Sequence, residues 1–251
     1  VKCPEFGNDN YTLRLSEKKD IDGLLSIYSD LNALPFFNSD NCNGDNFYYT
    51  TYERMQEALE FWNYSYQNRF FARLTIIEKK SGNIIGTIEL CCRSSEDAFN
   101  GMCILRVDVG SAYETEEVLT EIFRIIVPET DALLGSKGVV TKAPIYAVER
   151  IKALKNNGFC PSKHLLIGGH DGYKYNGYWT LENGKGTQYF NSEGKAIIIN
   201  EINNNKIELN NVYTDENIPS TGTTNVYDGI EIKVGDLETS IKKEAGPLLE
   251  S

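Results

Sequence analysis

Residues 70–92 read FFARLTIIEKKSGNIIGTIELCC. Phe70 to Glu78 and Ile84 to Cys92 are rich in β-branched and aromatic residues. Lys79-Lys80-Ser81-Gly82-Asn83 between them has the composition of a turn, so the stretch predicts a β-hairpin. Upstream, Thr50-Thr51-Tyr52-Glu53 fits a capping box with Thr50 as the cap, opening a helix that carries Met55, Leu59, Trp62 and Tyr66 on one face. Before it, Asn38 to Asn46 is a polar loop, and Ile21, Leu24, Leu25 and Tyr28 mark another amphipathic helix. That helix follows an alternating strand, Tyr11 to Leu15.

Downstream, Met102 to Val109 is a strand with Leu105, Val107 and Val109 on one face. Val118, Ile122, Ile125 and Ile126 form a helical stripe that stops at Pro128, and Val139-Val140 centres a short buried strand. After Pro144 a helix is expected with Ile145, Val148, Ile151 and Leu154 inward, ended by Gly158. His164 to Ile167 and Gly172 to Leu181 complete the set as two strands. The order β-α-α-β-β-β-α-β-α-β-β predicts an α/β (α+β) architecture, a mixed sheet flanked by helices. From Asn183 onward, runs at 187–190, 195–202, 206–213 and 226–234 read as a small β-meander. The expected domains are therefore 1–182 and a β-rich extension 183–251 of unassigned role, whose strand edges could serve a homo-oligomer.

The chain has 251 residues, 25 Lys and Arg against 36 Asp and Glu, and a formal net charge of −11. Such a balance argues against nucleic acid, whose binding rests on basic residues neutralising phosphates. No apolar run approaches the roughly 20 residues of a spanning helix, so no membrane partner is expected. The chain opens on Val1 rather than Met, which points to processing or trimming, and carries no apolar signal core. Cys3, Cys42, Cys91, Cys92, Cys103 and Cys160 show no metal-binding spacing and no pairing rhythm. A reduced, cytoplasmic protein without a metal is the expectation.

The segment Lys80-Ser81-Gly82-Asn83-Ile84-Ile85-Gly86-Thr87-Ile88 is similar to the "G-x-x-I-G-x-I" hairpin of the GNAT N-acetyltransferase superfamily. Ala147-Val148-Glu149-Arg150-Ile151 through Gly158-Phe159 resembles the end of that family's last major helix. Tyr173 to Trp179 resembles the final strand of its ribosomal-protein and small-molecule acetyltransferase branch. The resemblance spans about residues 10–182. It implies two parallel central strands that splay apart, with acetyl-CoA as co-substrate in the opening and an amine, small or peptidic, as acceptor. Val107, Val109, Gly110, Ser111, Ala112 and Arg150 would then line the cofactor, with the pyrophosphate on backbone N–H groups of the following helix.

The pyrophosphate loop is degraded. Where the family has Q/R-x-x-G-x-G/A, this chain has Gly110-Ser111-Ala112-Tyr113-Glu114-Thr115-Glu116-Glu117, with one glycine and no basic residue. Carboxylates there suit the helix dipole and repel a phosphate, and Ser111-x-x-Glu114 reads alternatively as a capping box. Leu154 stands where the family often has a Tyr acid, and Ala147 where it has Asn. Tyr146, one residue from that position, is the alternative acid or a packing residue. Glu89 and Asp108 are candidate bases, because a carboxylate in an apolar strand must be paired, ligand-facing or solvent-facing. Arg106 shares the Asp108 face and could pair with it. Phe36-Phe37 and Phe47-Tyr48-Tyr49 are expected to border the acceptor pocket, while His164 and His170 lack the partners of a metal site or triad. The leading expectation is an N-acetyltransferase, and the alternative is a catalytically silent binding or scaffold module on the same fold. An open cleft beside Val109 to Ala112 favours the first, and a cleft filled by side chains the second.

Overall fold

The computed structural model describes residues 3–182 and, beyond them, only the backbone of short strands. Strand β1 is Phe6–Gly7 and β2 Tyr11–Leu15; α1 is Ile21–Tyr28 and α2 Tyr52–Gln67. The hairpin follows as β3 (Ala72–Glu78) and β4 (Ile84–Cys92), then β5 (Cys103–Val109), α3 (Glu116–Ile126) and α4 (Thr130–Leu134). Next come β6 (Gly138–Lys142), α5 (Val148–Asn156), β7 (Cys160–Pro161), β8 (Leu166–Ile167), β9 (Lys174–Tyr175) and β10 (Tyr178–Glu182). The order expected from the sequence is thus present, with β1, β7 and α4 as short additions and the single strand expected over Gly172 to Leu181 divided into β9, which pairs with β8, and β10, which joins the large sheet.

Packing divides the chain into residues 1–154 with 160–181, and residues 155–159 with 182–251. In the second unit, β11 (Thr187–Phe190), β12 (Ala196–Asn203) and β13 (Lys206–Tyr213) pair antiparallel in sequence. A two-residue β14 (Pro219–Ser220) and β15 (Glu231–Lys233) both pair with β13, the latter in parallel. The expected run 226–234 otherwise lies outside the described residues, as does any oligomer surface there. Among the described residues no helix is long and apolar enough to cross a membrane.

The first unit is built on an eight-stranded sheet in the order β1-β2-β3-β4-β5-β6-β10-β7. It is antiparallel from β1 to β5, and β5 then meets β6 in parallel through two pairs only, Cys103 with Val139 and Ile104 with Val140. Beyond Ile104 the two strands are no longer paired. This divergence positions the candidate site.

The helices form for local reasons that the structure makes explicit. Thr51, not Thr50, caps α2: its hydroxyl accepts the Arg54 N–H at 3.2 Å. Both threonines precede the helix, and only Thr51 stands directly before its first residue, where the cap must lie. Ahead of α1, the Asp20 carboxylate accepts the Glu17 N–H at 2.8 Å and a fork from Arg14 at 2.7 and 2.8 Å. The apolar face of α1 (Ile21, Leu24, Ile27, Tyr28) meets that of α2 (Met55, Ala58, Leu59, Trp62) in one buried cluster, closed by Phe37, Phe47 and Tyr49.

Helix α5 departs from the expected stripe. Ile145 and Val148 are 91% and 54% exposed, whereas Arg150, Ala153 and Leu154 are buried. The helix starts later than Ile145, and the inward face passes through Ala147, Arg150 and Leu154, which also stand three and four apart.

Gly86 shows why the hairpin motif carries a glycine. A Cβ there would lie 2.1 Å from the Asp108 carbonyl oxygen and 2.9 Å from Val109 Cα. Gly86→Ala must push β4 off β5, and we expect a loss of about 1–3 kcal/mol in urea denaturation. An unchanged midpoint would show that the pair tolerates the separation.

Candidate functional site: a closed cleft and a charged cavity

The register of β4 on β5 sets the backbone of the cleft. Gly110 N–H donates to the Ile85 carbonyl at 3.0 Å, and Gly86, Thr87 and Ile88 face Val109, Asp108 and Val107. Antiparallel pairs alternate, so Arg106, Asp108 and Gly110 turn their backbone groups to β4, and Val107 and Val109 turn theirs to the side where β6 departs. These are the positions from which a strand edge could bond an extended ligand.

A side chain of the protein already stands there. Arg150 donates to the Val107 carbonyl at 2.8 Å and forks onto Glu114 at 2.7 and 2.6 Å. Its side chain is 2% exposed and that of Glu114 5%. For Arg150 burial works against the charged form, but the Glu114 carboxylate outweighs it and raises the guanidinium above its ordinary value. Glu114 therefore does not complete a capping box with Ser111. Residues 111–113 form one 3₁₀ turn and Thr115 caps α3, accepting the Val118 N–H at 3.4 Å.

Two further N–H groups at this end are engaged by carboxylates. Ser111 N–H donates to Asp30 at 2.8 Å and Glu116 N–H to Glu149 at 3.2 Å. Residues 110–117 contain no Lys or Arg. Asp30, Glu114 and Glu149 thus surround the head of α3 with carboxylates where a pyrophosphate needs free donors and cations. Several of the groups expected to hold acetyl-CoA are engaged within the protein, and the cation at this end, Lys152, is held by Glu149 at 2.8 Å and Glu116 at 3.9 Å. Of the positions expected to hold the cofactor, Val107 and Arg150 are spent on each other, Ser111 on Asp30 and Gly110 on β4; Val109 is buried and Ala112 exposed.

The candidate bases lie on the other face of the sheet, under α1 and α2. Arg73, Glu89 and Arg106 stand directly opposite one another across β3, β4 and β5. Glu89 accepts from Arg73 through one oxygen and from Arg106 through the other. Asp108, one row along, accepts from Arg73 at 3.0 Å and from the Tyr28 hydroxyl at 2.9 Å. Asp108 is 1% exposed, so it faces neither solvent nor Arg106, and its partner is the arginine two strands away, which sequence reasoning missed. Burial raises Asp108 above its ordinary range despite Arg73. Burial also acts on Glu89, but Arg106 and Arg73 prevail and hold it below the usual carboxylate range. Arg73 lies 4.6 Å over the Trp62 ring and 5.4 Å over Phe47, a cation–π seat on both.

Beside this row opens a cavity of about 420 Å³, walled by Phe47, Phe61, Trp62 and Phe71 and floored by Arg73, Glu89 and Arg106. Phe47 and Tyr49 line this cavity and Tyr48 does not, while Phe36 and Phe37 line a smaller one of about 250 Å³ with Tyr146. Tyr146 is 57% exposed and donates to the Pro35 carbonyl at 2.7 Å, away from the Arg150 cleft. His170 lines the larger cavity and its N–H bonds Asn41, and His164 takes no part. The six cysteines are free, and burial pushes the Cys42 and Cys91 thiols up to about 11 and about 12. Among the described residues no cluster could hold a metal ion.

The split between β5 and β6, entered from an antiparallel meander and followed by a helix, decides the architecture. The chain has the GNAT fold. Solved structures agree over most of their length. A GCN5-related N-acetyltransferase from Brucella melitensis matches with TM-score 0.54 at 14% identity, over 72% of this chain and 80% of that one. An acetyltransferase (GNAT family) from Bacillus anthracis matches at 0.53 and 10% identity, over 71% and 98%. A ribosomal-protein-S5-alanine acetyltransferase from Vibrio fischeri matches at 0.52 and 14%, over 72% and 97%. No family model matches the sequence, and no curated protein does. At such identities the likeness is one of GNAT architecture.

Proposed function

We propose that this chain uses the GNAT fold as a catalytically silent module that binds a small ligand in the cavity above the charged row. The observation that carries this reading is Arg150 on the Val107 carbonyl, neutralised by Glu114 inside the split. A strand edge whose Val107 carbonyl is already taken by the protein offers an acyl carrier less to bond, and breaking a buried pair is costly. The carboxylates on the head of α3 act in the same direction. We also take 1–182 as the GNAT domain and 183–251 as an appended unit. The free thiols accord with a reducing, cytoplasmic setting.

The second reading is an N-acetyltransferase moving an acetyl group from acetyl-CoA to an amine. The fold and the divergence of β5 from β6 favour it. It requires Arg150 to leave Val107, and a base to be freed from Glu89 or Asp108, both now held by arginines. Calorimetric titration of the full chain with acetyl-CoA separates the two. We expect no saturable heat at millimolar ligand, whereas micromolar binding would establish the cofactor and displace the silent-module reading.

A further inference from the structure

The cavity has a chemistry of its own, different from what an amine acceptor needs. Its floor carries two guanidiniums around one carboxylate, and both Glu89 oxygens are already engaged by Arg73 and Arg106. The nearest other carboxylate on the wall, Asp45, is also spent. It accepts from Arg54 and the Tyr49 hydroxyl at 2.8 Å each, and from the Phe47 N–H at 2.8 Å. An ammonium entering here would meet arginines before any free carboxylate.

The donors, by contrast, are not exhausted. Arg73 and Arg106 each keep a buried Nε–H without an acceptor, and their side chains are 1% and 13% exposed. A buried N–H left unpaired costs free energy that an incoming acceptor recovers. Burial raises Asp108, behind the row, above its ordinary range against the pull of Arg73. Five aromatic rings, Phe47, Tyr49, Phe61, Trp62 and Phe71, make the walls largely apolar. That suits a monoanion with an apolar body, since a phosphate dianion would lose more hydration in such surroundings.

We propose that this cavity binds a small aryl or alkyl carboxylate. The carboxylate oxygens accept from the Nε–H groups of Arg73 and Arg106, and the apolar body lies against Trp62 and Phe61. The assignment rests on the binding-module reading and names its ligand class.

The test titrates the full chain with phenylacetate, phenethylamine and inorganic phosphate, followed by calorimetry and tryptophan fluorescence, since Trp62 lines the cavity. Phenylacetate is expected to saturate and to bind at least about tenfold tighter than the other two, a preference that one charge-assisted contact can supply. Arg106→Lys keeps the charge and removes the Nε–H, and is expected to weaken phenylacetate about tenfold. Phe61→Ala, at a residue 58% exposed and outside the charged row, is the variant that leaves the fold intact; it should weaken phenylacetate and preserve the order of the three ligands. Binding of phenethylamine or phosphate as tight as phenylacetate, no saturation by phenylacetate, or wild-type affinity in both variants each overturns the proposal. Acetyl-CoA titrated into the same sample reports separately on the silent-module reading, because it addresses the Arg150 cleft and not this cavity.

Discussion

Arg150→Ala is expected to lower the stability of the first unit by about 3–5 kcal/mol, the cost of leaving one member of a buried ion pair without its partner. Glu114 would remain 9% exposed with no countercharge, and the Val107 carbonyl would lose its donor in a cleft that β6 does not close. Urea denaturation should show a lower midpoint at an unchanged slope. The double variant Arg150→Met with Glu114→Leu should recover most of the loss, because apolar side chains of similar volume often replace a buried pair at little cost. A single-variant loss below about 1 kcal/mol, the range of exposed pairs, would mean that water already reaches the pair. The cleft would then be open in solution.

That prediction turns on a residue whose position the sequence half revealed. The hairpin, the first two helices and β5 were legible because apolar spacing and turn composition agreed. Gly86 could be read as a motif residue, although its reason, the close approach of the Asp108 backbone, is visible only in three dimensions. Helix α5 misled because Ile145, Val148 and Ile151 form a better apolar stripe than the face that is buried. An arginine weighs against an inward face in any hydrophobic count, yet Ala147, Arg150 and Leu154 share the helical spacing that placed Leu154 inside. The clue to Arg150 was the run of carboxylates at Glu114, Glu116 and Glu117 with no basic residue beside them in sequence, which asks for a cation from elsewhere. Asp30 as the cap of Ser111 lies 81 residues away along the chain and left no local signal.

The charged row failed to show for a related reason. Alternation puts Glu89, Arg106 and Asp108 on one face of their strands, and polar residues on one face of a sheet usually mean solvent. Here that face lies under Tyr28 of α1 and Trp62 of α2. Arg73, two strands from Asp108, is brought opposite Glu89 only by the register of the hairpin. A bonded row of charges under a helical layer contributes little net stability by itself, but each member makes the removal of another expensive.

Arg73→Met should expose that dependence. The substitution keeps an apolar side chain against Trp62 and Phe47 and removes the donor shared by Glu89, Asp108, Tyr28 and Thr87. We expect a loss of about 3–5 kcal/mol at neutral pH, since Glu89 is left with Arg106 alone and Asp108 with the Tyr28 hydroxyl alone. The sign of the pH dependence follows from the two carboxyls. In the wild type Glu89 titrates below its ordinary value, so its contribution is present above the unfolded pKa and is lost as pH falls through the lowered one. Without Arg73 that contribution shrinks. Asp108, already raised by burial, rises further, and its protonated form then stabilises the fold in acid and fails as pH increases. Both effects make the variant's deficit largest near neutrality and smaller below about pH 4, where carboxyls begin to protonate. Denaturation curves for wild type and variant across that interval read the difference directly. A deficit that is constant with pH would place the cost of Arg73 in lost packing on Trp62 and not in the charges it holds together.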